Sequence, residues 1–150
     1  MKSHDILLIE DDPHDAELVR RALRDRYPSA VLHVAKDHTA ALELLYSPES
    51  SFLQQGLKCI LLDLALPRVS GLEILRRLRQ DSRTRHLPIV ILSSSAEGSD
   101  IRAAYEGGAN SYLVKATSYP EFAEEIGRLG HYWLDLNQAP RGETPGQAGP

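Results

Sequence analysis

The chain is predicted to form a doubly wound α/β domain, an open parallel sheet with helices packed on both faces. Three observations lead there. Five short aliphatic runs recur along the sequence, at residues 5–9, 30–35, 59–62, 87–92 and 110–114. Five longer stretches with apolar residues at helical spacing alternate with them. Several of the runs, such as "DILLI" and "CILL", have little apolar–polar alternation, as in parallel strands covered on both faces. Right-handed crossovers between such strands give the doubly wound arrangement.

The elements follow in order. "DILLI" (5–9) is the first strand. "PHDAELVRRALRDRY" (13–27) is a helix with Ala16, Val19, Ala22, Leu23 and Tyr27 on one side. Asp12 suits its N-cap and Pro13 its first position. "AVLHVA" (30–35) is a strand, and Asp37 caps the helix over residues 38–46. The polar stretch 47–58 reads as a loop. "CILL" (59–62) is the third strand, and residues 71–81 form a helix with Leu72, Ile74, Leu75 and Leu78 on one side. "LPIVIL" (87–92) is the fourth strand. Residues 97–108 form a helix ended by two glycines in left-handed conformation. "NSYLV" (110–114) is the fifth strand, and residues 120–137 are the last helix, with a core stripe of Phe122, Ile126, Leu129, Trp133 and Leu136. Residues 138–150, rich in Pro and Gly, read as a disordered tail after a domain spanning 1–137.

Bulk properties exclude several classes. The 150 residues, 42% hydrophobic and 25% charged, suit one ordinary globular domain. A net charge of −4, with no basic stripe interleaved with aromatics, argues against a nucleic-acid surface. No apolar stretch approaches the roughly 20 residues a bilayer span needs, and the N-terminus has no signal-peptide pattern. The single cysteine, Cys59, rules out an internal disulfide and suits a reducing cytoplasm. It reads as a small buried hydrophobe. The six histidines show no metal-ligand spacing.

Parallel strands deliver their C-terminal ends to one edge, where ligands bind in such folds. The first strand ends in Glu10, Asp11 and Asp12, the third in Asp63, the fourth in Ser93, Ser94 and Ser95, the fifth in Lys115. Carboxylates crowded there call for a cation. Oxygen ligands without sulfur or imidazole point to Mg²⁺, which commonly completes its shell with phosphate oxygens. Lys115 and Ser93 are well-typed partners for a phosphoryl group, and an aspartate in such surroundings can be the nucleophile that accepts it.

The pieces "LLIEDDP", "LLDLALPRVSG", "VILSSS" and "GANSYLVK" resemble the receiver domain of bacterial two-component response regulators, over about residues 4–136. Lys115 lies 52 residues and Ser93 30 residues after Asp63, in keeping with that pattern. The resemblance implies a CheY-like sheet of order 2-1-3-4-5 with five helices. It implies Asp63 as phosphoacceptor and Mg²⁺ held by Asp11, Glu10 through water, Asp63 and the carbonyl of Ala65. Asp12 remains the helix cap. Ser93 takes the switch hydroxyl position, Tyr112 the switch aromatic and Lys115 the phosphoryl-binding lysine. Pro67 and Gly71 match the loop after the acceptor, where Pro fixes the loop and Gly permits its turn. Ala65 and Ser95 occupy positions that tune hydrolysis of the aspartyl phosphate. Ser95 is also expected to cap the next helix. The implied activity is acceptance of a phosphoryl group from a histidine kinase. No output domain follows in this sequence, so output is expected through protein contacts.

Two departures bear on this. The family usually has Lys-Pro, often cis, where this chain has Lys115-Ala116. A cis bond without Pro costs about 3 kcal/mol, so a trans bond with a shifted loop, or a strained one, is expected. The longer stretch 47–58 and the "HYWLDL" ending resemble single-domain regulators paired with phytochrome-type histidine kinases. Gly127 and Gly130 inside the last helix suggest close approach by another backbone. A homodimer is therefore expected through the strand-4 to helix-5 face, including Ile126, Gly127, Gly130 and Trp133.

Other classes fit less well. Phosphatases with an aspartyl nucleophile place a second acid two residues on, where this chain has Ala65. Flavin or nucleotide binders need a phosphate-cradling loop after the first strand, where this chain carries "EDDPHD". A degenerate receiver that binds partners without phosphorylation is the remaining alternative.

Overall fold

A computed structural model describes residues 4–50, 56–66 and 69–140. Five parallel strands form one sheet in the order β2-β1-β3-β4-β5: β1 (Asp5–Ile9), β2 (Val31–Ala35), β3 (Leu57–Leu62), β4 (Ile89–Ser93) and β5 (Ser111–Val114). Among the described residues five helices cover it: α1 (Pro13–Arg26), α2 (His38–Tyr46), α3 (Gly71–Gln80), α4 (Gly98–Glu106) and α5 (Tyr119–Gly130). A short 3₁₀ turn, Pro48–Ser50, follows α2, and a π-helical turn, His131–Leu136, continues α5. Pro67 and residues 141–150 of the tail lie outside the described residues.

The period-2 geometry of the strands sorts the core into two layers. Leu7, Ile9, Ile60, Leu62, Ile89 and Ile91 pack with Ala41 and Leu45 of α2, Ile74, Leu75 and Leu78 of α3 and Ala104 of α4. Their neighbours Ile6, Leu8, Cys59, Leu61, Val90 and Leu92 pack on the other face with Val19 and Leu23 of α1 and Phe122 and Ile126 of α5. Cys59 is fully buried, and burial pushes its thiol up to about 12, which removes it from thiolate chemistry.

Local chemistry sets the helix starts. Asp12 accepts from His14 N at 2.8 Å and Asp15 N at 3.4 Å, with Pro13 at the first position of α1. Asp37 accepts from Ala40 N at 2.8 Å. Ser95 does not cap α4. The residue before the helix is Glu97, which makes no side-chain capping bond. Ser95 sits further back, accepting from Glu97 N at 3.2 Å and donating to Asp100 Oδ2 at 2.5 Å. At the end of α4, Gly107 stays right-handed (φ −75°) and Gly108 alone takes a positive φ, +105°.

Two boundaries differ from the sequence reading. β3 starts at Leu57, inside the expected loop, because Leu57 is buried and pairs with Asp5. The register then shifts between Asp5 and Ile6, leaving Lys58 as an extra residue. The last helix loses its 3.6-residue phase after Gly130. Asn137 N donates to Tyr132 O at 2.7 Å, an i→i+5 bond. The widened turn buries Leu134 and leaves Leu136 59% exposed, so the expected stripe through Trp133 and Leu136 is broken there. Asp135 pins this turn, accepting from Tyr27 Oη at 2.5 Å.

The glycines of α5 serve the chain itself. A Cβ on Gly127 would stand 2.9 Å from Arg26 Cβ, and one on Gly130 3.3 Å from Tyr27 Cγ. They allow α1 and α5 to pack closely, and Ile126 is fully buried beneath them. Of the residues named for a homodimer face, Ile126, Gly127 and Gly130 are thus engaged within the monomer. Trp133 is half-buried and meets Tyr132 edge-on at 4.9 Å.

Gly127→Ala is expected to destabilise the protein by about 1–2 kcal/mol, because overpacking against the Arg26 stem outweighs the gain in helix propensity. Gly98→Ala, where a Cβ meets nothing within 4 Å, is expected to be neutral or stabilising. Urea unfolding of both variants checks the contrast.

Candidate functional site

The sheet ladders place the polar residues. Beyond the strand ends, Glu10 N donates to Ala35 O at 2.9 Å, Asp63 N to Ile9 O at 3.3 Å and Lys115 N to Ser93 O at 2.7 Å. Each bond extends a strand pairing by about one residue, so the acidic, hydroxyl and ammonium groups inherit the sheet's rigidity. Glu10, Asp63 and Ser93 are buried, while Asp11 is exposed.

Glu10, Asp11 and Asp63 each bring one carboxylate oxygen into a group whose members all lie within 4.8 Å of one another. Oxygens coordinated to one octahedral Mg²⁺ at about 2.1 Å span about 3–4 Å, so this set fits a hard divalent ion. Ala65 is exposed, and its N–H donates to Asp63 Oδ1 at 3.3 Å. Asp12 turns to the helix end, and its own N–H donates to Glu10 Oε2 at 3.4 Å. Asp12 is thus the cap of α1, while Glu10 and Asp11 lie with Asp63.

Lys115 closes the cluster. Among the described residues no peptide bond is cis, so Lys115–Ala116 is trans. The lysine still reaches the site, with Nζ 3.2 Å from Glu10 Oε1 and 3.8 Å from Asp15 Oδ2. Asp15 was not singled out from the sequence. Its signal was its place three residues after the Asp12 cap, in the first turn of α1.

Burial pushes the Glu10 carboxyl up to about 7; Lys115 opposes this and Asp63 adds to it. For Lys115, burial works against the ammonium, but Asp63, Glu10 and Asp15 more than offset it and the net shift is upward.

The hydroxyl side is wired to the next helix. Ser93 Oγ accepts from Ser95 N at 3.1 Å. Tyr112, half-buried, donates its hydroxyl to Ser95 O at 2.8 Å. Gly71 opens α3 directly against the backbone of Asp63. A Cβ there would stand 2.3 Å from Asp63 O and 2.6 Å from Leu64 Cα, while Gly71 N donates to Leu64 O at 3.1 Å. The glycine is needed for close approach rather than for turn geometry.

A family model described as the response regulator receiver domain matches residues 6–126. The chain belongs to this family. The probable methanogenesis regulatory protein FilR2 of Methanothrix harundinacea is 34% identical over 135 residues, 90% of this chain and 86% of its own. Response regulator Rcp1 of Synechocystis sp. is 30% identical over 135 residues, 90% of this chain and 92% of its own. Rcp1 has been solved in a Mn²⁺-bound form, with TM-score 0.78, 30% identity and coverage of 91% and 99%. The phosphorylated cyanobacterial phytochrome response regulator RcpA matches with TM-score 0.81 at 26% identity, over 93% of this chain and 99% of that one. Receivers are signalling switches rather than enzymes as a rule, they partner with histidine kinases, and they bind Mg²⁺ or Mn²⁺ at an acidic site. No helix among the described residues is long and apolar enough to cross a membrane.

Glu10 titrates higher in the fold than its ordinary 4.5. In chelator, its contribution to stability is therefore fully present below about pH 4.5 and is lost as pH rises through about 7. His38 and His86 are held below their ordinary value, first by burial and then by neighbouring arginines, and contribute the opposite slope. Thermal melts across this range should show the Glu10 slope in the parent and not in Glu10→Gln, with the histidine slope common to both. Gly71→Ala is expected to cost more than about 2 kcal/mol by the same melts, because backbone atoms, not a flexible side chain, meet the new Cβ.

Proposed function

We propose that this receiver accepts a phosphoryl group from a histidine kinase onto Asp63 and uses it as a signalling switch. The observation that carries this reading is the convergence of Glu10, Asp11 and Asp63 within 4.8 Å beside the Lys115 ammonium. Mg²⁺ bound there, through Asp11, Asp63, the Ala65 carbonyl and Glu10 by way of water, would supply charge neutralisation for the transferring phosphoryl.

The chain's own groups do the rest. An Asp63 carboxylate oxygen forms the new O–P bond as the donor's N–P bond breaks, its electron pair staying on the imidazole nitrogen. Lys115 offers an ammonium to the phosphoryl oxygens, and Ser93 a hydroxyl. When Ser93 Oγ turns to the phosphoryl, it gives up the bond from Ser95 N, and the loop that also holds Tyr112 is free to rearrange. Ala65 and Ser95 are small, which leaves room for the water that hydrolyses the aspartyl phosphate.

The likeness to RcpA, a phytochrome response regulator, supports a phytochrome-type kinase as donor, and we place the protein in the cytoplasm. We also propose a homodimer, on a surface of the monomer itself. The monomer leaves a groove of about 660 Å³ between β5 and the end of α5, lined by Tyr112, Val114, Tyr132 and Trp133. We place the dimer contact there, away from the buried Ile126 and the glycines facing α1. A light-scattering mass of two chains at tens of micromolar is expected, falling toward one chain in Tyr132→Glu; a parent mass of one chain contradicts the dimer.

Incubation with acetyl phosphate and Mg²⁺ should add one phosphoryl group, about 80 Da by intact mass. The gain should be absent in Asp63→Asn and in chelator. No gain under any condition would instead favour a receiver that binds partners without phosphorylation.

A further inference from the structure

The ion pairs of Lys115 bypass the acceptor. They go to Glu10 at 3.2 Å and Asp15 at 3.8 Å, and among the described residues none goes to Asp63. Asp15 is held in the first turn of α1, where its N–H donates to Asp12 Oδ1 at 3.4 Å. Its neighbour Glu17 faces Arg20 and Arg24, whereas Asp15's one ion pair among the described residues is with Lys115. Both line a cleft of about 360 Å³ with Ser94, Thr117 and Ser118, beside the acidic cluster. The side chain of Asp15 is 41% exposed and that of Lys115 17%, so the pair sits at the mouth of the cleft.

We propose that Asp15 is a positioning residue for the phosphotransfer: with Glu10 it tethers Lys115 Nζ on the α1 side of the cleft while Asp63 is unmodified, and releases it when a phosphoryl group is in place. This rests on the phosphotransfer reading above. Glu10 is committed to the acidic cluster, so Asp15 is the partner that can be given up without disturbing a metal ligand. A phosphoryl group offers the ammonium several charged oxygens in exchange for one partly solvated carboxylate. Because the Asp15 pair belongs to the unmodified state, it weights the protein toward that state. A pair this exposed is worth only a small factor.

The test uses phosphoramidate, whose N–P bond resembles that of phosphohistidine, with Mg²⁺ and intact mass as readout. Asp15→Asn should be phosphorylated about two- to fivefold faster at saturating donor, with Asp15→Glu close to the parent. Glu17→Gln, which removes the same charge from α1 away from Lys115, should also match the parent. An unchanged or slower Asp15→Asn, or an equal acceleration in Glu17→Gln, overturns the proposal. A second measurement does not depend on phosphotransfer. The chain has lysines only at 2, 36, 58 and 115, so the Lys115 ammonium can be followed by ¹⁵N relaxation at one fixed pH in the unmodified protein. Its mobility should rise in Asp15→Asn and be restored in Asp15→Glu; unchanged mobility overturns the tether. A parent chain that takes up no phosphoryl group would count against the phosphotransfer reading alone, and the ammonium measurement would still decide the role of Asp15.

Discussion

Repulsion among Glu10, Asp11 and Asp63 is the constraint around which the C-terminal edge of the sheet is organised. Three like charges within 4.8 Å are tolerable only when something positive joins them or one of them is protonated. The fold uses both. Lys115 is drawn in against Glu10 and Asp15, and the buried Glu10 carboxyl is pushed up to about 7. Three carboxylates and one ammonium still leave an excess of oxygen ligands, the donor set that suits a hard divalent cation. Glu10 and Asp63 stay in place because each continues a strand ladder whose apolar residues are buried on both faces, and Asp11 follows Glu10 directly in the chain.

The surroundings of Asp63 are closely connected to two neighbouring helices. Gly71 brings the start of α3 against the backbone of Asp63 and Leu64, so any shift of that backbone bears directly on the helix. On the other side, Ser93, Ser95, Tyr112 and Asp100 are joined by hydrogen bonds of 2.5–3.1 Å. Ser95 sits at the centre of this chain, tied to the Ser93 hydroxyl, to the aromatic of β5 and to the first turn of α4. Rotation of the Ser93 side chain away from Ser95 N would break one bond of the set and disturb the others, a local exchange of partners with a wider consequence.

Much of this was legible in the sequence because the chemistry involved is local. Asp12, Pro13 and Asp37 signal helix starts by residue type. The runs 5–9 and 59–62 signal strands covered on both sides, and parallel strands bring Glu10, Asp63, Ser93 and Lys115 to one edge by topology alone. What was not legible depends on contacts between elements. The early start of β3 follows from Leu57 pairing with Asp5. The π-helical turn is pinned by Asp135 on Tyr27, 108 residues away. Gly127 and Gly130 looked like an interface between chains but accommodate Arg26 and Tyr27 of the same chain. Asp15 has the residue type of an ordinary first-turn acid, and only the placement of Lys115 gives it a partner at the site.

The measurement closest to the central claim is the melting temperature of the unmodified protein as Mg²⁺ is added near pH 7.5, with Asp11→Asn alongside. If the cluster is a cation site held under mutual repulsion, the parent should gain stability with the logarithm of Mg²⁺ concentration above its dissociation constant, and Asp11→Asn should gain little. A melting temperature indifferent to Mg²⁺, or an equal gain in both proteins, would contradict the account.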